Sequence, residues 1–458
     1  MKMWREISAL VASAVLLVVS PAWADHAPVS VLHESSSRGS LRDLIPNLFG
    51  LGGVTTQPVK ALGCCGPTGH GFHFAAGSQQ ANQQLANSLT TGLQGAIANA
   101  PLPSPAGGFT FQFDPALGVF TRSTESFGPI FADRAETTGR GKFSLGFTYT
   151  RFTFDSLDGK NLHDGELKLT FLHEPTADLN RQDPAGRGVG PAGGRPTPFG
   201  FERDTITTTL FIDLDSDVFF LSGTYGVLDN LDVAVALPII RNELKVRAVA
   251  KSNNESRTLN ADGAPAHLFS DGAGGFTDTQ TARTSDESTG IGDLLLRAKY
   301  NFYRQPPLAM AAILELRLPT GDEDELRGVG SVRVRPVFVA SGSLFGVAPH
   351  VNLGFDLGDS DVVDNEFLYK VGFDWPIISR VTFAFDLLGR YVLDNNRIKA
   401  GSDPRSLKKA DDHIVDAAIG FKFNLWQTLL LSFNVLVPLN DTGLRDDIAL
   451  TFGIEGTL

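Results

Sequence analysis

A chain of 458 residues has room for two or three ordinary domains or for one large β structure, so length alone decides little. Its 48 glycines and 33 phenylalanines suit many strands joined by turns better than helices. The formal charge of -12, with no clustered basic patch, argues against nucleic-acid binding.

The chain opens with Lys2 and Arg5, an apolar stretch from Ala9 to Val19 and the triplet Ala22-Trp23-Ala24. These are the three parts of an export signal, so residues 1–24 are expected to be removed and the mature chain to begin at Asp25. The apolar stretch is too short for a membrane anchor, and no later run is long enough to cross a bilayer as a helix. Such an exported chain is soluble, peripheral or a closed barrel, because backbone groups in lipid must find partners within the protein.

Residues 25–105 do not alternate. They hold the one stretch with helical spacing, Ala81 to Ala98, where Leu85, Leu89, Leu93 and Ile97 form a single stripe. That stripe needs a cover, which favours a plug folded into a barrel over a tail hanging in the periplasm. The same segment carries "CCGPTGHGFH", with Cys64, Cys65, His70 and His73. Adjacent cysteines lack the gap of about two to four residues found in zinc sites, so no metal is expected. In an oxidising compartment a disulfide is favoured, either between Cys64 and Cys65 or to another chain.

Residues 106–458 read as an outer-membrane β-barrel. "GFTFQFD", with Phe109, Phe111 and Phe113, is a candidate first strand, and from Phe143 onward apolar residues recur at every second position. Leu294, Leu296, Ala298, Tyr300 and Phe302 set the pattern. It continues through Val347 to Phe355, Phe367 to Trp375, Val381 to Leu387, Val415 to Phe423, Leu429 to Val437 and the closing Ile448 to Leu458. With Asp204 to Tyr225 taken as one long strand, the count is fourteen including "GFTFQFD", or twelve if the weak early strands are miscounted.

Short turns, as after Tyr225, Tyr303 and Trp375 and near Trp426, take turns with longer polar links such as Ala250 to Thr289, Glu174 to Arg203, Pro319 to Gly330 and Asp394 to Asp411. A barrel with one end in the periplasm and the other outside segregates its loops in this way, and a sandwich has no reason to. Tyr225, Tyr303, Trp375 and Trp426 would then belong to an aromatic ring at the periplasmic interface. Lipid would cover the apolar face of the last strand, whose edge pairs with the first.

The opposite faces of the strands carry Asp293, Arg297, Lys299, Glu315, Arg317, Arg333, Arg335, His350, Asp356, Asp386, Arg390, Asp416 and Lys422. An Arg or Lys facing the lipid midplane costs about 2–4 kcal/mol, so the lumen is where these charges belong. Two readings stay open: a hydrated passage whose arginines select polar or anionic solutes, or salt bridges that brace the wall and tie down the plug. Mixed signs do not form a selectivity ring. "GDEDE" (Gly321 to Glu325) lacks the spacing of a calcium loop and reads as a solvated outer loop. No nucleophile motif of the G-x-S-x-G kind is present and no Ser pairs evidently with His173 or His350, so no enzyme and no cofactor are expected.

Four stretches, "SFGPIFADRAETTGRGKFSLGFTYTRFTFDSLDGKNL" (Ser126 to Leu162), "YGVLDNLDVAVALPII" (Tyr225 to Ile240), "GIGDLLLRAKY" (Gly290 to Tyr300) and "LRLPTGDEDEL" (Leu316 to Leu326), occur in this order. Together they resemble the transporter family of outer-membrane proteins associated with the meta-pathway of phenol degradation. The resemblance implies a barrel in the outer membrane of a Gram-negative bacterium that passes aromatic or other apolar compounds, distantly like the long-chain fatty-acid channels. The partners expected are outer-membrane lipid and lipopolysaccharide, the barrel assembly machinery and a small-molecule substrate.

Overall fold

The computed structural model describes residues 40–48, 76–105, 108–114, 119–172, 204–254, 268–270, 276–393, 398–400, 407–409, 412–426 and 428–458. All of them fall within one unit, His33–Leu458. The export signal and the Cys64, Cys65, His70 and His73 cluster lie outside the described residues.

Alternation along the chain becomes twelve antiparallel strands closed into a ring. In chain order they are β1 (Phe143–Phe154), β2 (Thr205–Leu228), β3 (Leu231–Asn253), β4 (Leu294–Gln305), β5 (Leu308–Leu318) and β6 (Arg333–Gly342). They continue as β7 (Ala348–Gly358), β8 (Glu366–Ile378), β9 (Val381–Val392), β10 (His413–Trp426), β11 (Leu429–Pro438) and β12 (Ala449–Thr457). Closure is made by β12 against β1, with Thr457 opposite Ser144. Beyond it Phe143 and Leu458 exchange backbone hydrogen bonds at 3.1 and 2.7 Å. No edge is left in the ring, which satisfies the backbone without water.

The wider sheet contains fourteen strands, two of them outside the ring, but they are not the fourteen read from the sequence, which included "GFTFQFD" and left Thr279–Ile291 in a polar link. Leu167–Leu172 pairs with the far part of β2, Thr205 to Leu210, above the stretch that β1 occupies. Thr279–Ile291 likewise pairs with the far part of β3, above β4. Each extends a neighbouring strand upward instead of widening the ring. The polar link expected over Ala250 to Thr289 is therefore partly strand: β3 runs to Asn253 and its partner starts at Thr279. Its side chains alternate poorly because this hairpin rises past the ring. "GFTFQFD" is not a barrel strand either. Phe111–Asp114 pairs with Val119–Arg122 in a separate hairpin, and Phe109 is buried with Phe127 and Leu430.

Exposure follows the two faces. Phe302, Leu314, Phe338, Phe355, Val371, Ile419, Phe433 and Phe452 are exposed on the outside. The residues between them, such as Asn301, Ile313, Val339, Asp356, Ala418 and Asn434, are buried. A continuous exposed apolar belt of this kind has lipid as its physical complement. Cross-strand aromatic pairs stiffen it, among them Phe433 with Phe452 at 5.1 Å and Phe383 with Phe421 at 5.4 Å. Such pairs are worth roughly 0.2–1 kcal/mol each. The links β2–β3, β4–β5, β8–β9 and β10–β11 are short and share an end with the two chain-terminal strand ends. At that end Tyr225, Tyr303, Trp375 and Trp426 are all exposed.

The helix runs Ala76–Ala98, five residues earlier than its spacing suggests. Leu93 and Ile97 are buried in one cluster with the inward-facing Leu214, Ile240 and Leu244 and with Leu326, and Leu89 packs against it. The side chain of Leu85 lies outside the described residues.

Candidate functional site

Inward-facing charges form a sequence of bonded groups along the wall. On β6, Arg333 and Arg335 stand two residues apart on the same face, and the register puts Asp356 of β7 beside them. The Asp356 carboxylate takes Arg333 Nε at 2.7 Å on one oxygen and Arg335 Nε at 2.8 Å on the other. Arg333 is fully buried and spends its remaining donors on the carbonyls of Val363, Asp364 and Asp356. Glu315 accepts from Arg335 at 3.2 Å.

Arg317 pairs with Asp293 at 2.8 Å, and both tie other segments to the wall. Arg317 donates to the Ala98 carbonyl and the Asn99 side chain at the end of the helix. Asp293 accepts from the amides of Gly321 and Val329. The loop containing "GDEDE" is thereby folded back onto the helix, with Gln94 Nε2 donating to the carbonyls of Glu323 and Gly328. Its acidic side chains Asp322 and Asp324 point to solvent while its backbone is tied down, so it is a clasp as well as an outer loop. Arg390 pairs with Glu366 at 3.5 Å, and Asp416 with Arg445 at 2.7 Å.

A second inner element is not marked by alternation. Residues 126–139 run through the ring as a buried strap whose backbone is bonded by wall side chains. Asp386 Oδ2 accepts the amides of Ile130, Phe131 and Ala132 at 3.1, 2.9 and 3.2 Å. Asn352 accepts the Asp133 amide and donates to its carbonyl. Ser341 Oγ accepts the Ala135 amide, Asp232 accepts the Thr138 amide, and Lys299 Nζ donates to the Glu136 carbonyl at 2.7 Å. Buried backbone outside a sheet or helix needs such partners, and the lumen supplies them. At Gly128 the backbone has φ +77°, and a Cβ would fall 2.6 Å from the Arg134 guanidinium, so both conformation and space call for glycine.

The strap brings its own carboxylate. Asp133 is in contact with Arg297 and accepts from Ser104 at 2.5 Å. Burial alone would raise its pKa, but the charges of Arg297, Lys370 and Lys299 overcome that and hold it down at about 2. His350, opposite Ser341 in the register, has Nε2 2.7 Å from Asp386 and Nδ1 3.5 Å from Asp374. The Ser341 hydroxyl is bonded instead to Glu136 at 2.8 Å. The histidine thus faces two carboxylates, an arrangement for anchoring and not for activating a nucleophile.

Between the end of the helix, the strap and the wall lies a cavity of about 160 Å³. Its apolar wall is formed by Val218, Phe220, Ile240, Leu295 and Ile313 of β2 to β5 with Leu102 of the inner segment. Charged side chains, some of them on the same strands, complete the lining: Asp133, Asp293, Arg297, Glu315, Arg317, Arg335, Glu366, Lys370, Arg390 and Asp416. Of the lumen residues read from the sequence, Asp293, Arg297, Glu315, Arg317, Arg335, Arg390 and Asp416 line this cavity. Lys299 and Asp386 bind the strap, and Arg333 is buried in the wall. Sequence reasoning missed Asp133, Asn352 and Lys370. Lys370 had a signal, since it falls between the outward-facing Tyr369 and Val371; Asp133 had none, because the strap has no period.

A family model described as "Putative MetA-pathway of phenol degradation" matches residues 186–443. No curated protein matches the sequence. Among solved structures, an outer membrane channel from Pseudomonas putida F1 is 12% identical over 71% of this chain and 98% of its own, with a TM-score of 0.41. A Pseudomonas aeruginosa FadL homologue is 10% identical over 70% of this chain and 90% of its own, with a TM-score of 0.32. The Ralstonia pickettii toluene transporter TbuX is 10% identical over 69% and 90%, with a TM-score of 0.31.

Proposed function

The chain belongs to the phenol-degradation family whose model spans more than half of it, and from that premise we propose that it is a channel of the Gram-negative outer membrane for small aromatic or other apolar compounds. The observation that carries this reading is the cavity inside a closed barrel: a ligand-sized space with an apolar wall, lined by the end of the helix, the strap and the inner faces of the strands. In this reading residues 25–105 act as a plug, the helix and the strap together close the path, and passage requires at least the strap to shift. The exposed belt is seated in lipid, with lipopolysaccharide at the long-loop end, after export through the N-terminal signal and insertion by the barrel assembly machinery. The paired arginines hold the closed wall together.

Proteoliposomes test the proposal. Vesicles with the refolded protein should admit small aromatics faster than empty vesicles, and equal rates across a panel of aromatic and aliphatic compounds would refute it. A second reading, a structural or surface-binding barrel, draws on the β2–β3 hairpin and its two accessory strands, which rise past the ring. Loss of adhesion or ligand binding with uptake unchanged, on shortening that hairpin, would favour it.

A further inference from the structure

Five acids and five cations line the cavity, but Asp416 takes its cation, Arg445, from outside the lining, so one lining cation is left without a carboxylate in contact. Each acid on its lining already has a cation: Asp133 has Arg297, Asp293 has Arg317, Glu315 has Arg335, Glu366 has Arg390 and Asp416 has Arg445. Lys370 is the cation left over, with no ion pair among the described residues. Its Nζ donates to the Phe131 carbonyl at 2.7 Å, which uses one of three donors. The apolar wall of Val218, Phe220, Ile240 and Leu295 lines the same space.

We infer that this cavity is a binding site for a single-ring aromatic carboxylate, its ring on the apolar wall and its carboxylate on the Lys370 ammonium. The inference rests on the channel reading and narrows it. Size argues for one ring, because a cavity of about 150 Å³ engineered into another protein is enough to take up benzene. Charge argues for an acid, because a neutral hydrocarbon would strip water from the ammonium and return no acceptor, whereas a carboxylate gives a charge-assisted bond.

Calorimetric titration of the refolded full-length protein in detergent, with benzoate, its neutral isostere benzamide and toluene, tests this. Benzoate is expected to bind about tenfold tighter than benzamide. Lys370→Met should abolish that preference and Lys370→Arg should retain it. Benzoate binding no tighter than benzamide, or a preference that survives Lys370→Met, overturns the inference. If Lys370→Met does not form a heat-modifiable barrel, the wild-type comparison decides alone. Proteoliposome flux separates the two claims. Toluene passing with no preference for benzoate in binding leaves the channel standing and removes the site, and no flux of any aromatic removes the channel itself.

Discussion

Asp386→Ala should release the strap. In the wild-type protein the buried carboxylate takes three consecutive strap amides, from Ile130 to Ala132, on one oxygen and His350 on the other. Bonds to a charged acceptor are worth about 1.5–3 kcal/mol each, and truncation also strands the donors that remain. Water from the neighbouring cavity can recover part of the loss, so a net cost on the order of 3–5 kcal/mol, as for one partner removed from a buried pair, is expected. That corresponds to about two to nearly four orders of magnitude in the ratio of strap-held to strap-released barrels. Planar-bilayer recording reads this directly as the fraction of time spent conducting. Asp386→Asn, which keeps a carbonyl acceptor without the charge, should lie between. If Asp386→Ala, shown to be folded by its shifted mobility without boiling, conducts like the wild type, the strap is not the barrier and the reasoning fails.

Asp356→Ala leaves Arg333 and Arg335 without their shared carboxylate inside the wall. It should cost about 3–5 kcal/mol and lower the temperature at which the barrel band converts to the unfolded band on a detergent gel. Phe433→Arg puts a cation on the lipid face and should cost roughly 2–4 kcal/mol in refolding titrations into vesicles; a negligible effect would place Phe433 away from the hydrocarbon. Asp133 has a folded-state pKa of about 2, below its ordinary 3.8, so its contribution to holding the strap is present in full above about pH 4. That contribution should fade as pH falls toward and through about 2, seen as rising conductance or proteolysis of the strap. Asp133→Asn should flatten this dependence, and a wild-type transition centred near pH 5 would contradict it.

Period two is a local property, written residue by residue, and it was enough to find the twelve strands of the ring and to tell their two faces apart. Arg317, Arg335 and Asp386 point inward because their neighbours in sequence point out. Helical spacing was local too, and Leu93 and Ile97 are buried as their stripe requires. What tertiary structure decided is everything that depends on partners distant in sequence. Whether Leu167–Leu172 widens the ring or extends β1 depends on which part of β2 it meets, and a strand's own residues do not encode that. The strap is irregular backbone whose amides are satisfied by Asp386, Asn352 and Ser341, each more than two hundred residues away, so no short window could reveal it. Pairing was likewise beyond reach: alternation brings acids and bases into the lumen, and only the closed register leaves Lys370 as the one cation lining the cavity that has no ion pair among the described residues.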